Sequence, residues 1–429
     1  MGDRLRSVVG LPRRHPAWVV AASLLVGILA VWLWRERRSR WVGAERARAE
    51  AALESYDFDA ALRHLDHCLL YRPADPALSL LAAQAARRGE RYDLAEEYLG
   101  RYRESTGEAT DEGILELAML MAQRGELPQA EKHLLACLAA HHPSTDLILE
   151  SLGLSYVTAY RLDEALDMLD QLLARQPDHV TALLTRGIIY ESATHRDKAL
   201  ADYRHAVEAR PENPRALLRL GQALQAAQKI PEAIASFETL LALEPTNAAG
   251  LLGLAGCRRD TGDFDAAVEL LDRLAAAHPE DESGVLLRGR VALQQGRFDE
   301  AERLLRRAVE LRPADYHAHH HLALCLQAQG KRSEAQTHRD RADQIDTDRK
   351  RLFRLYPEAM RSPTDPAPRL ELGRICLQNG QDQEALRWLS GALQIAPDYR
   401  PAHRLLADYY DKHGDAERAD FHRRRAGSP

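Results

Sequence analysis

The densest cluster of metal-binding side chains in the sequence is the run HAHHH at residues 317–321. On a helix, His317, His320 and His321 would fall on one face, and two imidazoles four residues apart can chelate a metal ion. No Cys or carboxylate at a fixed ligand spacing completes the set. Two interpretations follow: a metal or pH-sensitive site, or an exposed helix start with polar side chains. We favour the second and expect no metal.

The sequence contains none of the common catalytic motifs. It has no phosphate-binding loop, nucleotide fingerprint, GxSxG elbow, HExxH helix or paired CxxC. The cysteines are odd in number and unpaired in spacing, which favours buried packing thiols over a disulfide framework or a zinc site. They are Cys68, Cys137, Cys257, Cys325 and Cys376. We therefore predict a protein that is not an enzyme and needs no cofactor.

The composition predicts a folded chain. The 429 residues are 45% hydrophobic and 28% charged, which is too apolar for a disordered protein. Lys and Arg number 58 against 64 Asp and Glu, and the formal net charge of -6 disfavours a nonspecific nucleic-acid binder. We expect no nucleic-acid partner.

A membrane segment is predicted near the N-terminus. Residues 16–34 carry no charge, and as a helix they would reach about 28 Å, close to the thickness of the bilayer core. Trp18 and Trp34 lie near the two ends, where such rings favour the headgroup boundary. We predict a basic tail at 1–15, a single transmembrane helix at 16–34 and a basic juxtamembrane segment at 35–41. A cleaved signal peptide is the alternative, but no small-x-small cleavage site follows.

The orientation of this anchor rests on its flanking charges. Four Arg residues precede the segment and six follow it closely, which places the long C-terminal part in the cytoplasm. The unpaired cysteines favour the same side, because disulfides are rare there. A periplasmic or other extracytoplasmic location is the alternative.

A period of 34 residues dominates the rest of the chain. Prolines recur at this interval, at Pro177, Pro211, Pro245, Pro279 and Pro313. Such a period indicates a repeat array. Unit starts fall at Val42, Pro76, Asp111, Asp146, Val180, Pro214, Ala248, Glu282, Tyr316, Pro366 and Arg400. In every unit the eighth residue is Ala or Gly and the twentieth is Ala.

Each unit is predicted to be a helical hairpin. In residues 180–213, apolar residues recur at helical spacing on both sides of a polar turn near Thr194. Small residues at places eight and twenty would let the two helices approach closely. The array occupies 42–349 in about nine units, followed by a helical extension and loop at 350–365 and by a C-terminal unit with capping helices at 366–429.

The pattern resembles the tetratricopeptide repeat family. The unit at 180–213 matches the family motif with Leu183, Gly187, Tyr190, Ala199, Tyr203, Ala206 and Pro211. The resemblance implies an all-α solenoid, a right-handed superhelix of hairpins, here preceded by the single transmembrane helix. It also implies a concave groove that binds a protein or peptide.

The resemblance places groove residues at places two, five, nine, twelve and thirteen of each first helix. In the central units the candidates are Leu184, Glu191, Arg215, Leu218, Gln222, Gln225, Leu252, Arg259, Leu286 and Arg290. The Leu residues would form an apolar strip, and the Arg residues would pair with carboxylates of an extended peptide. The alternative is that the Leu residues are partly buried filler and the Arg residues a solvated face.

These features predict a membrane-anchored scaffold that binds a protein or peptide in its groove and supports assembly of a complex at the membrane. Two alternatives remain. One is a self-associating solenoid or spacer of an envelope assembly, with which a homo-oligomer would agree. The other is a metal-binding protein that uses residues 317–321.

Overall fold

The computed structural model describes residues 17–362 and 364–427, in which the chain forms helices and no strand. The all-α prediction is therefore confirmed for this part of the chain. The helices are α1 (Ala17–Glu54), α2 (Phe58–Tyr71), α3 (Pro76–Arg88), α4 (Tyr92–Thr106), α5 (Asp111–Gln123), α6 (Leu127–Ala139), α7 (Thr145–Thr158), α8 (Leu162–Arg175), α9 (Val180–Ser192), α10 (Arg196–Ala209), α11 (Pro214–Ala226), α12 (Ile230–Leu243), α13 (Ala248–Asp260), α14 (Phe264–Ala277), α15 (Glu282–Gln294), α16 (Phe298–Leu311), α17 (Tyr316–Ala328), α18 (Arg332–Arg361), α19 (Ala367–Gln378), α20 (Asp382–Ile395), α21 (Arg400–Lys412) and α22 (Ala416–Ala426).

The chain divides into two compact units, Met1–Arg219 and Leu220–Pro429, and the division falls within α11. Inside each unit, consecutive helices pack as antiparallel hairpins, such as α3 with α4 and α15 with α16. The first helices of neighbouring hairpins also contact each other: α5 contacts α7, and α13 contacts α15. This is the helical-repeat arrangement that the period predicts.

The first helices begin where the repeat predicts them. From the second repeat onward, each starts within one residue of the predicted position. The residue before the start often caps the helix: the side chains of Asp75, Asn247, Asp281 and Asp315 each accept a hydrogen bond from a backbone N–H three residues ahead. Such caps satisfy a donor that has no partner within the helix.

The turn inside each hairpin has the same backbone conformation in all repeats. Place fifteen has a positive φ in every repeat, from 56° at Tyr160 to 97° at Gly125. Six repeats have Gly there, as the sequence predicts, because Gly adopts this conformation without strain. The others hold a residue with a side chain, including Tyr56 and Thr194, in the same conformation. The tertiary structure therefore imposes the left-handed turn even where the residue disfavours it.

Close packing at places eight and twenty holds each hairpin together. The Ala at place twenty is buried in every repeat, and so is the small residue at place eight. Where place eight is Gly, a large side chain from the second helix fills the space. A Cβ on Gly187 would lie 2.9 Å from Cδ1 of Tyr203, and a Cβ on Gly221 would lie 2.7 Å from Cε1 of Phe237.

Two long helices depart from the regular hairpin. Helix α1 runs without a break from Ala17 to Glu54, through the predicted repeat start at Val42. Helix α18 continues to Arg361 and contains Pro357, so the second helix of the ninth repeat extends past Tyr356, as predicted. The regular spacing of the array is interrupted after this extension.

The predicted membrane segment gains no support from the fold. Within the described residues, no helix combines the length and the apolar character that crossing a bilayer requires. Pro16 and most side chains of the predicted segment at 16–34 lie outside the described residues.

Two histidine pairs occupy equivalent positions in the ninth and last repeats. Nδ1 of His319 lies 2.9 Å from Nδ1 of His338, and Nδ1 of His403 lies 2.8 Å from Nδ1 of His422. Nε2 of His319 donates to the carbonyl of Pro313, so its Nδ1 is free to accept from the N–H of His338. This arrangement requires that His319 and His338 are not both protonated.

We predict opposite effects of adding a methyl group at two helical glycines of the first unit. Gly187→Ala should destabilise by about 1 kcal/mol, because the overlap with Tyr203 costs more than the gain in helix propensity. Gly100→Ala should stabilise by up to about 1 kcal/mol, because a Cβ there meets no atom within 4 Å. Urea unfolding followed by circular dichroism measures both. A shift in the same direction would contradict the packing at place eight.

A pH dependence follows from the histidine pairs. Burial, the largest cause, lowers the pKa of His319, His338 and His422 in the folded protein. The unfolded chain therefore binds more protons, and stability should fall as pH drops below the ordinary histidine value near 6.5. Urea midpoints at pH 7.5 and 5.5 measure this loss. The loss should shrink in the H338N/H422N variant and persist in H317N, which changes an exposed histidine; equal loss in all three would refute the assignment.

Candidate functional site

The predicted groove residues of the second unit lie on the first helices α11, α13 and α15. Leu252, Leu286, Gln225 and Arg290 are half-buried, and Gln222 is exposed. The three helices α13, α15 and α17 form one layer, because α15 contacts both α13 and α17. The residues at places five, nine and twelve of these helices therefore belong to the same surface of the second unit.

Arg290 is a half-buried cation without an acceptor from the described residues. Among the described residues, its guanidinium makes no hydrogen bond or ion pair. Burial and the nearby charge of Arg259 lower the pKa of Arg290. The five N–H donors of this side chain are therefore partly desolvated, and no acceptor in the described part of the protein replaces the lost water. Such desolvation is energetically unfavourable.

Arg259 and His321 are close enough to Arg290 for their charges to interact, and the three residues are called the cationic cluster below. Burial, and next the charge of Arg290, lower the pKa of His321 to about 4. The side chain of Arg259 is 11% exposed, and its Nε donates to Asp260 at 3.0 Å. Asp260 is the carboxylate whose charge acts on this cluster. Positive charge therefore exceeds negative charge here.

Gly256 gives this surface its shape. It stands at place nine of α13, where a Cβ would lie 2.9 Å from Nε2 of Gln225. The side-chain amide of Gln225 makes no hydrogen bond within the described residues. The Gln225 amide is therefore a second polar group without a hydrogen-bond partner among those residues, and it lies against α13, the helix that carries Leu252 and Arg259.

The predicted groove residues of the first unit have partners within the protein. Arg215 is exposed and lies 3.7 Å from Glu90 in an ion pair. Glu191 accepts a hydrogen bond from the hydroxyl of Tyr203 at 3.1 Å. Leu184 packs against the hydrophobic core, and Leu218 is half-buried. These residues behave as the structural alternative expects.

Further charged residues on the first helices of the first unit form a buried network. Arg87 and Glu116, each 1% exposed, form an ion pair, and Arg87 also donates to Gln123 at 3.3 Å. Arg88 donates to the buried Glu150 at 3.4 Å. The sequence does contain a signal for these pairs. Arg stands at places twelve and thirteen of one first helix, and Glu stands at place six or five of the two first helices that follow.

The turn of the first hairpin reaches the same network. The guanidinium of Arg88 lies 5.5 Å from the ring centroid of Tyr56, and that ring contacts the ring of His179 at 5.6 Å. The first unit therefore satisfies most of the polar groups at its groove places internally. In the described part of the second unit, the side chains of Arg290, His321 and Gln225 make no hydrogen bond or ion pair.

The run at residues 317–321 is divided among several environments. His317 is exposed, His320 stacks on Tyr316 with ring centroids 5.6 Å apart, and His319 is buried in its pair with His338. His317, His320 and His321 are not among the groups that bring three ligand atoms together. In the described residues, the group that does so is Glu45, His64 and His67, whose ligand atoms all lie within 4.8 Å of one another.

The cysteines are free thiols in the interior. Cys68, Cys257, Cys325 and Cys376 are buried, and Cys137 is half-buried. Burial raises the pKa of Cys257 and of Cys376 to about 11. The predicted burial is confirmed for Cys68, Cys257, Cys325 and Cys376. A thiol with a raised pKa is also a poor nucleophile and metal ligand.

Solved structures similar to this chain are helical-repeat proteins of low identity. PilW, a widely conserved type IV pilus biogenesis factor, is 21% identical over 45% of this chain and 90% of that chain, with a TM-score of 0.42. MamA from Desulfovibrio magneticus RS-1 is 18% identical over 40% of this chain and 96% of that chain, with a TM-score of 0.35. A tetratricopeptide repeat protein from Parabacteroides merdae is 16% identical over 67% of this chain and 99% of that chain, with a TM-score of 0.35. These likenesses carry no argument about function.

Comparison with sequence families is more informative. No curated protein matches the chain. One family model, described as tetratricopeptide repeat, matches residues 224–290, 292–356 and 354–409, and a second with the same description matches 150–214 and 184–235. The hairpins, their small-residue columns and these matches over more than half of the sequence show that the chain belongs to the tetratricopeptide repeat family.

Proposed function

We propose that the protein is a membrane-anchored scaffold without catalytic activity, which binds an acidic segment of a partner protein on the layer formed by α13, α15 and α17. The observation that carries the proposal is the unpaired Arg290 within the cationic cluster. A carboxylate from a partner would supply the acceptor that the chain itself does not provide.

The surroundings of the cluster suit an extended peptide. Leu252 and Leu286, both half-buried, offer apolar contact beside the charged groups. The amide of Gln225 can hydrogen-bond to a peptide backbone. Apolar contact gives affinity that depends little on charge, whereas the bidentate Arg geometry selects a carboxylate. The bound segment would therefore alternate acidic and apolar residues.

The contrast with the first unit supports this location. There, Arg87, Arg88 and Arg215 already pair with carboxylates of the same chain. At Arg87 and Arg88, a peptide carboxylate would have to displace a buried, hydrogen-bonded partner, which is costly. In the second unit no such displacement is needed at Arg290. The second unit is therefore the better docking surface for an acidic segment.

Membrane anchoring through residues 16–34 is the second part of the proposal. Large apolar side chains on α1 are exposed where no protein group covers them in the described residues: Leu25 by 67%, Leu29 by 55% and Trp34 by 60%. Together with the uncharged stretch, these side chains suit a lipid environment. The excess of Arg after the segment favours a cytoplasmic location for the repeats. Tethering would raise the local concentration of a partner that is also membrane-bound.

Self-association is the alternative function with an observation in its favour. On α18, Phe353 is 82% exposed and Met360 is 57% exposed, which is unusual for large apolar side chains. A second copy of the chain would cover them. Sedimentation at several concentrations distinguishes self-association from peptide binding. A self-associating chain should form larger species as its concentration rises, whereas a scaffold that only binds a peptide should stay monomeric.

The cationic cluster predicts the preference of the scaffold for acidic peptides. Selection of peptides from a displayed random library on the wild-type protein should enrich Asp and Glu, and fluorescence anisotropy then measures their affinity. Arg290→Ala should weaken binding about 10- to 100-fold, the effect of losing a hydrogen bond between charged groups. Arg303→Ala, which changes an exposed Arg on α16, should leave the affinity unchanged. No acidic enrichment, or equal losses in both variants, would contradict the site.

The anchor predicts how the full chain partitions. Wild-type protein should remain with membranes after alkaline carbonate extraction, and the L25R/L29R variant should be released, since each Arg at the centre of a spanning helix costs about 2.5–3.5 kcal/mol. Leu70→Arg is the matched control, because Leu70 is 76% exposed outside the predicted segment. This variant should stay in the membrane fraction. Release of the wild-type protein would refute the anchor.

A further inference from the structure

We propose that Glu45, His64 and His67 form a binding site for a divalent transition-metal ion of the kind that imidazole and carboxylate ligands select, such as Zn²⁺. This site lies in the first hairpin of the first unit and is independent of the peptide-binding proposal. Its ligands come from two helices, Glu45 from α1 and both histidines from α2.

The packing of the first hairpin brings the three side chains together. Helices α1 and α2 contact each other along their length, with Ala49, Ala61 and Leu65 buried in a shared cluster. His64 and His67 are three residues apart on α2, so they project from the same face of the helix. Glu45 lies opposite them on α1, nearly buried, with its side chain 6% exposed.

One carboxylate oxygen is the point of convergence. Oε2 of Glu45 lies 2.7 Å from Nδ1 of His64 and 3.8 Å from Nδ1 of His67. Ligand bonds of about 2.0–2.1 Å in tetrahedral geometry place donor atoms about 3.3 Å apart. The observed separations lie on either side of that value. Small side-chain rotations would therefore accommodate an ion among the three atoms.

An ion pair between Glu45 and His64 accounts for only part of this arrangement. His67 makes no hydrogen bond in the part of the chain that the structure describes, although its Nδ1 faces the same carboxylate. A second imidazole directed at the same carboxylate oxygen is more than the ion pair with His64 needs. It is what a three-ligand metal site requires.

Arg48 has a supporting position. Its guanidinium hydrogen-bonds to Oε1 of Glu45, the carboxylate oxygen that faces away from the histidines. This contact fixes the carboxylate with Oε2 toward the imidazoles, as groups outside the ligand set often do in metal sites. Cys68 is not a fourth ligand, because its thiol donates to the carbonyl of Val42.

Access for the ion comes from the histidine side. The side chain of His67 is 57% exposed and that of His64 is 30% exposed. Solvent would therefore occupy the remaining coordination positions. A bound ion would connect α1 to α2 and stabilise the first hairpin, because an ion that binds only the folded state shifts the folding equilibrium toward it.

The test uses the full chain in detergent with any affinity tag removed and Co²⁺ as a spectroscopic probe. Wild-type protein should bind one equivalent of Co²⁺ with visible absorption bands of a four- or five-coordinate site, and Zn²⁺ should displace it. The H64A/H67A variant should bind at least about 100-fold more weakly, because it removes two of the three protein ligands. Circular dichroism of the metal-free variants checks that each is folded.

The matched control changes two other histidines on a helix. H317A/H320A removes two of the four histidines of the 317–321 run and should bind Co²⁺ as the wild type does. Glu45→Gln keeps the size of the side chain but loses the anionic ligand, so it should also weaken binding while leaving the helical signal intact. Absence of saturable binding by the wild type, or equal affinity in wild type and H64A/H67A, would overturn the proposal.

Discussion

The close approach of two helices at a column of small residues is the constraint on which each repeat depends. Ala at place twenty and Ala or Gly at place eight remove side-chain bulk where the helices of a hairpin cross. Large residues such as Tyr203 and Phe237 then lie directly against glycine backbone. Because interiors are packed as tightly as crystals, this contact fixes the separation of the helices and with it the position of every other side chain. The left-handed turn at place fifteen, shared by Gly and non-Gly residues, follows from the same closed hairpin.

Once the hairpins are fixed, the two units differ in how they treat charge at equivalent places. The first unit pairs its charges within the chain, as Arg87 does with Glu116 and Arg88 does with Glu150. The second unit holds Arg290 without a partner among the described residues, beside Arg259 and His321. A paired buried charge serves the fold, whereas an unpaired one costs free energy that a bound anion would recover. One repeat pattern therefore carries internally paired charges in one unit and, in the other, an arginine without a partner among the described residues.

Histidine shows the same dependence on context. The run at residues 317–321 is conspicuous in sequence, yet its members separate into an exposed side chain, a ring stack and a buried pair. His64 and His67 belong to no recognisable sequence motif, yet both lie close to the buried carboxylate of Glu45. His403 and His422 repeat the geometry of His319 and His338 because they occupy the same places of the repeat. The repeat transmits geometry faithfully, but only the residues that each copy carries decide its chemistry.

The helical hairpins, the starts of the first helices from the second repeat onward, the small-residue columns and the extension of α18 follow from the sequence alone, because each is a local or periodic property of the chain. The start at Val42 does not, since α1 runs through it. That Arg259 and Arg290 belong to one groove surface is a prediction from the resemblance to the repeat family. Which charges are paired depends on tertiary packing: Arg88 and Glu150 are 62 residues apart, and their contact requires the packing of three successive first helices. The same holds for Glu45 with His64, whose separation of 19 residues matches no motif. Burial and partner choice are properties of packed surfaces, and a period along the chain does not contain them.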